Sequence, residues 1–246
     1  MNQINTSLVE EFFNDIIFYK DACAEVRIFS SMVDRTNHVI RSAYPTTVAG
    51  WFTRSDCLIS QLSRVYNCSS YITVNPVALG RRPSHAKNNL KILRKGEFCT
   101  DQDILLIRYL IIDIDPPSKS SARTLNSTNE ELLNCISTRN KIISDFGLTD
   151  HCLAGISGNG AFILISVPDY DLKSGISKVA ELTQAISNEY SNENCKVDIN
   201  TKNPSRLLSI PGTTKYRDIV SSPERPHRRV EIFSPGLSNH ATSQAV

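Results

Sequence analysis

The spacing of apolar residues predicts helices and strands in the N-terminal part of the chain. Residues 7–19 carry apolar side chains three and four positions apart, as on one face of an amphipathic helix, and Ser7 and Glu10 have the spacing of a capping box. Ser55 can cap a second helix whose apolar positions again share one face. Alternation of apolar and polar residues predicts short strands in EVRIF, in the VIRSAY region and in YITVNP.

The C-terminal part begins with the strongest strand pattern of the chain, ILLIRYLIIDID (104–115). This segment is too apolar to be half exposed, so we expect it at the centre of a sheet. A helix should follow it, with Ser127 and Glu130 as a capping box and Gly147 as its stop. Further elements are predicted at 161–167 (strand), 172–190 (helix), 206–210 and 230–234 (strands). This order resembles a ferredoxin-like or RRM-like sheet with helices on one face.

Two aspartates stand at the end of the central strand pattern. Asp113 and Asp115 are two positions apart, so their carboxylates share one face of the strand, and Pro116 and Pro117 then end it. Two carboxylates this close repel each other unless a cation neutralises them, and hard oxygen ligands suit Mg²⁺ or Mn²⁺. The pattern indicates a metal site at the exposed end of the strand. Two solvated acids before a turn are the alternative interpretation.

Two later segments could complete such a site. The glycines and serine of SGNG (157–160) can bring backbone N–H groups against a phosphate, although a simple turn fits the segment as well. Further on, Asp198 offers a third carboxylate, and Arg206, Lys215 and Arg217 follow it. Three carboxylates with nearby cations are what a two-metal phosphoryl-transfer site requires. A loop acid and a surface ion pair are the alternatives for Asp198 and Arg206.

Charge is unevenly distributed along the chain, although the formal net charge is only +2. Residues 81–95 contain six Lys and Arg and no acid, and residues 202–229 contain seven Lys and Arg against two acids. Phosphate groups are the expected counterpart of such segments, and solvated loops are the alternative.

Composition and cysteine spacing limit the classes of protein to which the chain can belong. The chain has 246 residues, of which 40% are hydrophobic and 21% charged, values typical of a globular protein with a sizeable core. Its seven cysteines form no CxxC pair and no Cys/His cluster, so neither a zinc site nor a disulfide framework is indicated. The N-terminal segment lacks a basic region, and no apolar run approaches the length of a membrane span. We therefore expect a soluble cytoplasmic protein that contacts no membrane.

Taken together, the motifs resemble those of one family. IIDIDPP is followed by a capped helix, then by GISGNG before a strand, then by DINTKNPSRLLSIPGTTKYR, and finally by ERPHRR. Upstream, GWFTRSDCLISQL, YITVNPV and TDQDILLIRYL occur in a similar order and spacing. The ordered set spans roughly residues 25–235. It resembles the catalytic domain of bacterial primase-polymerases of the archaeo-eukaryotic primase superfamily.

The resemblance implies an α+β fold in which an N-terminal α/β subdomain, residues 1–103, packs on an RRM-like catalytic subdomain, residues 104–246. The active site would lie in the cleft between them. Asp113, Asp115 and Asp198 would be catalytic residues that bind Mg²⁺ or Mn²⁺. The resemblance also implies nucleotide-binding roles for the SGNG turn and for later basic residues, namely Ser157, Gly158, Asn159, Gly160, Arg206, Lys215 and Arg217.

One position departs from the family pattern. The family usually has a histidine two residues after the second glycine of SGNG, where this chain has Phe162. Phenylalanine cannot bond a phosphate oxygen, so either nucleotide affinity is reduced or a neighbour such as His227 or Lys215 compensates. Phe162, Leu164 and Ser166 share one strand face that ends in a polar residue, so we expect Phe162 to face the cleft rather than the core.

The implied function is that of a DNA primase or polymerase. It would transfer nucleotides from NTPs or dNTPs on a single-stranded DNA template, with or without a primer, and a helicase domain or protein is a candidate partner. A catalytically weakened or inactive nucleic-acid- or nucleotide-binding module on the same fold is the alternative, which Phe162 favours. A rolling-circle nicking enzyme also uses an RRM-like sheet, but it needs paired metal-binding histidines, and the five scattered histidines here offer no such pair.

Overall fold

The computed structural model describes residues 4–17, 21–30, 47–81, 86–94, 96–117, 125–170, 172–216 and 221–235. The helices in these ranges are α1 (Thr6–Ile16), α2 (Ser55–Leu62), α3 (Asn129–Asp145) and α4 (Leu172–Tyr190). The strands of the N-terminal half are β1 (Ala22–Ser30), β2 (Thr47–Phe52), β3 (Cys68–Thr73), β4 (Val77–Ala78) and β5 (Lys91–Leu93). The later strands are β6 (Ile107–Asp115), β7 (Cys152–Ile156), β8 (Ala161–Tyr170), β9 (Lys196–Val197), β10 (Leu207–Ser209), β11 (Thr214–Lys215), β12 (Arg228–Arg229) and β13 (Glu231–Phe233).

The first sheet has the strand order β10-β3-β1-β2-β5, with β4 also paired to β1, and its pairs are antiparallel. Strand β10 comes from the C-terminal half of the chain and completes this sheet beside β3. The predicted strand at 206–210 therefore exists, but it does not belong to the RRM-like sheet.

The second sheet has the order β13-β7-β8-β6-β9, and its pairs are also antiparallel. The segment β6-α3-β7-β8-α4-β9 has the βαββαβ order of a ferredoxin-like or RRM-like fold, with β6 in an interior position. Sequence patterns did not predict β7, whose five residues include a glycine and an alanine.

The second sheet is covered on both faces. On one face lies the inner core, a cluster shared by α1, α2, the first sheet and residues such as Ile111, Phe162 and Leu164 of the second sheet. On the other face, α3 and α4 pack over Ile112, Ile163 and their neighbours. Burial on both faces explains why the sequence of β6 is an almost unbroken run of apolar residues.

The helix caps lie close to the predicted positions but differ in detail. α1 is capped by Asn5, whose side chain accepts from the Leu8 N–H at 3.2 Å, and not by Ser7. The capping box of α3 is Thr128 with Glu131, one residue later than predicted. Gly147 does end α3, with a φ of +61°. The VIRSAY region lies outside the described residues.

All seven cysteines are free thiols in the structure. In the described part of the chain, no helix combines the length and the apolar composition needed to cross a membrane.

Candidate active site

Asp113 and Asp115 lie at the C-terminal end of β6. On the same strand face, Ile111 belongs to the inner core, and the two aspartates continue this face beyond it. Across the strand pair, Asp113 is opposite Phe162 of β8. A Cβ built on Gly160 would lie 2.8 Å from Asp115 Oδ1, so the start of β8 contacts the second carboxylate closely.

Asp198 reaches the same end of the sheet from β9. Its N–H donates to the Asp113 carbonyl oxygen at 2.8 Å, and its side chain accepts from the Asn200 N–H at 2.9 Å. Arg206 completes the group, because its Nη2 lies 3.0 Å from Asp198 Oδ2 and 3.8 Å from Asp113 Oδ2. Arg206 therefore bridges two of the three predicted carboxylates.

The surroundings of Asp113 disfavour its negative charge. Burial and then the charge of Asp115 raise the pKa of the Asp113 carboxyl to about 7, although Arg206 and Lys215 act in the opposite direction. The Asp113 Oδ1 atom is buried and accepts no hydrogen bond from the residues that the structure describes. A further cation at this atom would stabilise the ionised carboxylate.

The carboxylates fit a divalent cation in their chemistry and only partly in their spacing. Hard oxygen donors suit Mg²⁺ and Mn²⁺, and the unpartnered Oδ1 of Asp113 is an available ligand atom. Within the described ranges, however, no three His, Cys, Asp or Glu side chains are grouped closely enough to hold a metal ion. The Asp198 carboxylate is instead paired with Arg206.

The SGNG segment forms the tight turn between β7 and β8. The Ser157 N–H donates to the Gly160 carbonyl oxygen at 2.9 Å, and the Gly160 N–H donates to the Ser157 hydroxyl at 3.2 Å. Two of the four N–H groups are therefore used inside the turn. Gly158 has a φ of +91°, and a Cβ there would lie 2.4 Å from the Lys215 Cβ. Glycine at this position lets β11 pass directly beside the turn.

Asn159 faces the protein interior. It is only 2% exposed, and its Oδ1 accepts from the Ser127 N–H at 2.9 Å, just before α3. Arg228 spans the same junction, since its Nη1 donates to the Ser127 carbonyl at 2.9 Å and to the Gly158 carbonyl at 3.4 Å. Both side chains hold the turn against the beginning of α3.

Lys215 links the site to the first sheet. Its Nζ donates to the Ser209 hydroxyl at 2.8 Å and to the Tyr71 hydroxyl, and it lies 4.0 Å from the centroid of the Tyr71 ring. The register brings Tyr71 and Ser209 together, because they are cross-strand partners in β3 and β10. Sequence reasoning did not identify either residue as part of the site.

Phe162 is fully buried, which corrects the expectation that it faces an open cleft. It shares a strand face with Asp113, as the alternation predicts, but it is 0% exposed and belongs to the inner core. Gly155 leaves room for the ring, because a Cβ on that residue would lie 2.5 Å from the Phe162 Cζ. In this conformation the ring cannot contact a nucleotide.

The last two predicted nucleotide-binding residues lie further along the chain. The His227 ring packs edge-on against Tyr216, with the ring centroids 4.7 Å apart. It immediately precedes Arg228, which pairs with Lys215 across β11 and β12. Arg217 lies outside the described residues.

The sequence matches no protein-family model, and a comparison with curated proteins finds no significant match. Solved structures do resemble the fold. The AEP domain of the cyanophage S-2L primase-polymerase superposes with a TM-score of 0.56, covering 95% of this chain and 92% of that chain at 12% sequence identity. The polymerase domain of Mycobacterium tuberculosis ligase D, in complex with DNA, gives a TM-score of 0.45 over 91% of this chain and 80% of that chain at 9% identity. The first of these shows that the chain has the α+β fold of a primase-polymerase AEP domain.

Proposed function

We propose that the protein is a template-dependent DNA primase or polymerase of the bacterial primase-polymerase type, acting on NTPs or dNTPs. The observation that carries this proposal is the grouping of Asp113, Asp115 and Asp198 with Arg206 and Lys215 at one end of an RRM-like sheet. Phosphoryl transfer depends on positioning and on neutralising charge, and such a grouping supplies both. The fold shared with a primase-polymerase domain supports the same reading.

Each group would have a distinct role in this reaction. Asp113 and Asp115 would hold Mg²⁺ or Mn²⁺, with Asp198 as a further ligand. When bound, the metal would activate the attacking hydroxyl and stabilise the leaving pyrophosphate. Arg206 and Lys215 would neutralise the triphosphate, and the turn 157–160 would form the wall beside it.

Incubation with single-stranded DNA, labelled nucleotides and Mg²⁺ or Mn²⁺, with and without an annealed primer, tests the proposal. We expect metal-dependent incorporation by the natural chain and a loss of about a hundredfold or more in Asp115→Asn, because the substitution removes a metal-binding charge. Glu181→Gln is the matched control, since Glu181 is exposed on α4. Wild-type incorporation by Asp115→Asn would overturn the assignment of the carboxylates.

A binding module without catalysis is the second candidate, and two observations favour it. Phe162 replaces the family's usual histidine and is buried, and Arg206 engages Asp198 in an ion pair. Such a module would bind nucleotides or single-stranded DNA but would incorporate no nucleotide with either metal. Binding and incorporation should therefore be measured on the same preparation.

A further inference from the structure

The outer face of the first sheet, opposite the inner core, carries a line of residues that begins at the candidate site. The register pairs Ser209 with Tyr71, Tyr71 with Arg27, Arg27 with Ala49, and Ala49 with Lys91. Directly paired residues share a face of the sheet, so these five positions form one line across five strands. Ser209 is buried, and Ala49 belongs to a buried cluster with Trp51 and Leu93, so the line is accessible at Tyr71 and Arg27 and again at Lys91. With neighbouring strands about 4.8 Å apart, the line is about 19 Å long.

Aromatic rings cluster in the middle of this line. The rings of Tyr71 and Phe29 meet edge-to-face, with centroids 5.2 Å apart. Phe29 is 41% exposed, although phenylalanine is among the residue types most often buried. Further along, the Arg27 guanidinium lies 4.8 Å from the centroid of the Phe98 ring. We call Phe29, Tyr71 and Phe98 the aromatic row.

Cationic side chains stand at both ends of the aromatic row. At one end, the Lys215 ammonium contacts neutral hydroxyl groups and the Tyr71 ring. At the other end, Lys91 is exposed. Arg27, in the middle, forms an ion pair with Glu25, with Nη2 2.9 Å from Oε2. Its charge is therefore already neutralised, and its guanidinium packs over the Phe98 ring.

We propose that the aromatic row binds a single-stranded DNA template, with bases stacked on Phe29 and Tyr71 and phosphates near Lys91 and Lys215. Proteins that bind single strands combine aromatic stacking platforms with cations that follow the backbone, and the row has both. This inference rests on the proposed function, because the line begins at Ser209, which Lys215 contacts beside the carboxylates that would act on the growing strand.

Among the residues that the structure describes, the corresponding face of the second sheet offers no such platform. RRM domains stack bases on exposed aromatics of the sheet, but here the equivalent face contributes Ile111, Phe162 and Leu164 to the inner core. Exposed aromatic surface next to the candidate site is therefore found on the first sheet.

Substitutions of Phe29 test the aromatic row without touching the carboxylates. Fluorescence anisotropy with a labelled single strand of about 16 nucleotides, in EDTA and without nucleotide, reports binding alone. We expect Phe29→Leu, which keeps an apolar side chain but loses the ring, to weaken binding about fivefold or more, and Phe29→Tyr to bind as the natural chain does. Phe146→Leu is the matched control, because Phe146 is 44% exposed at the end of α3.

A direct probe of stacking is available at the same position. The single tryptophan of the chain, Trp51, is fully buried, so Phe29→Trp adds a second emitter at the surface of the sheet. Single-stranded DNA should quench the added emission and leave the emission of the natural chain nearly unchanged.

Several outcomes would overturn the proposal. These are unchanged binding in Phe29→Leu, no quenching in Phe29→Trp, equal affinity for a duplex of the same length, or tighter binding of single-stranded RNA. The incorporation assay, run in parallel, distinguishes a failure of the aromatic row from a failure of the proposed function. Incorporation by the natural chain with unchanged binding in Phe29→Leu rejects the aromatic row alone. Weakened binding in Phe29→Leu without any incorporation by the natural chain rejects the proposed function alone.

Discussion

The buried charge of Asp113 should reduce the stability of the metal-free protein. Folding raises the pKa of this carboxyl from 3.8 to about 7, so the folded chain binds a proton more tightly than the unfolded chain. The carboxylate therefore costs stability above about pH 7, and this cost disappears as the pH falls towards 4. In EDTA at about pH 8 we expect Asp113→Asn to be more stable by about 1 to 3 kcal/mol, as urea unfolding would show. This is less than the full pKa difference implies, because 20% of the side chain remains exposed.

Asp113→Asn also tests whether Asp113 is a metal ligand or only a buried carboxyl group. Mn²⁺ should raise the melting temperature of the natural chain by binding the folded state, and it should raise that of Asp113→Asn much less. Equal shifts in the two proteins would remove Asp113 from the ligand set. A variant less stable than the natural chain at about pH 8 in EDTA would show that the carboxylate is already compensated.

Replacement of Phe162 by histidine should lower stability rather than improve nucleotide binding. A histidine at this fully buried position would place a polar ring in the inner core, so Phe162→His should lower stability by about 1 to 3 kcal/mol. The KM for the incoming nucleotide should not improve. Phe162→Leu, which stays apolar, is the control for lost volume. Nucleotide affinity about tenfold higher in Phe162→His, with an unchanged melting temperature, would show that the side chain at this position reaches the nucleotide.

The β7–β8 turn depends on glycine where it meets β6. A Cβ on Gly160 would lie 2.2 Å from the Ile114 carbonyl oxygen and 2.8 Å from Asp115 Oδ1, so Gly160→Ala must shift the backbone where β8 meets β6 and also disturb the carboxylate. We expect a loss of about 1 to 3 kcal/mol in thermal or urea unfolding, together with reduced incorporation. Gly80→Ala should be nearly neutral, because a Cβ there meets no atom within 4 Å. Equal stability of the two variants would contradict the close approach.

Local sequence patterns predict the helices and strands that depend on residues close together in the chain. The period of two puts Asp113 and Asp115 on one face of β6, and the helix at 172–190 has the predicted limits. The short strand β7 escaped detection because small residues weaken its pattern. Phe162 was misplaced for a different reason, because its strand face packs against the inner core shared with the first sheet, a distant contact that no local pattern shows.

The parts of the site that depend on distant contacts could not be predicted in the same way. Tyr71 lies 144 positions before Lys215, and only the pairing of β3 with β10 and the course of β11 bring them together. Arg206 was predicted as a cation near a triphosphate. Its ion pair with Asp198 follows from the loop between β9 and β10, which no periodic pattern describes.

The two sheets are joined by shared packing and by hydrogen bonds from one buried side chain. Residues of both sheets contribute to the inner core, and β10 returns from the C-terminal half to pair with β3. Just after β3, Asn75 is 2% exposed. Its Oδ1 accepts from the N–H groups of Arg108 and Tyr109, each at 2.9 Å, and its Nδ2 donates to the Pro204 carbonyl at 3.1 Å. Asn75 therefore connects the first sheet both to β6 and to the loop that carries Arg206.

Asn75→Ala should accordingly destabilise the whole molecule rather than one half of it. The substitution leaves two backbone N–H groups of β6 and the carbonyl oxygen of Pro204 without this partner, at a cost of about 2 to 4 kcal/mol. Because both sheets share the inner core, urea unfolding followed by circular dichroism and by Trp51 fluorescence should give one coincident transition, shifted to lower urea. Asn188→Ala, at an exposed position of α4, should leave the transition in place. Two separate transitions, of which Asn75→Ala moves only one, would instead show that the two predicted subdomains, residues 1–103 and 104–246, fold independently.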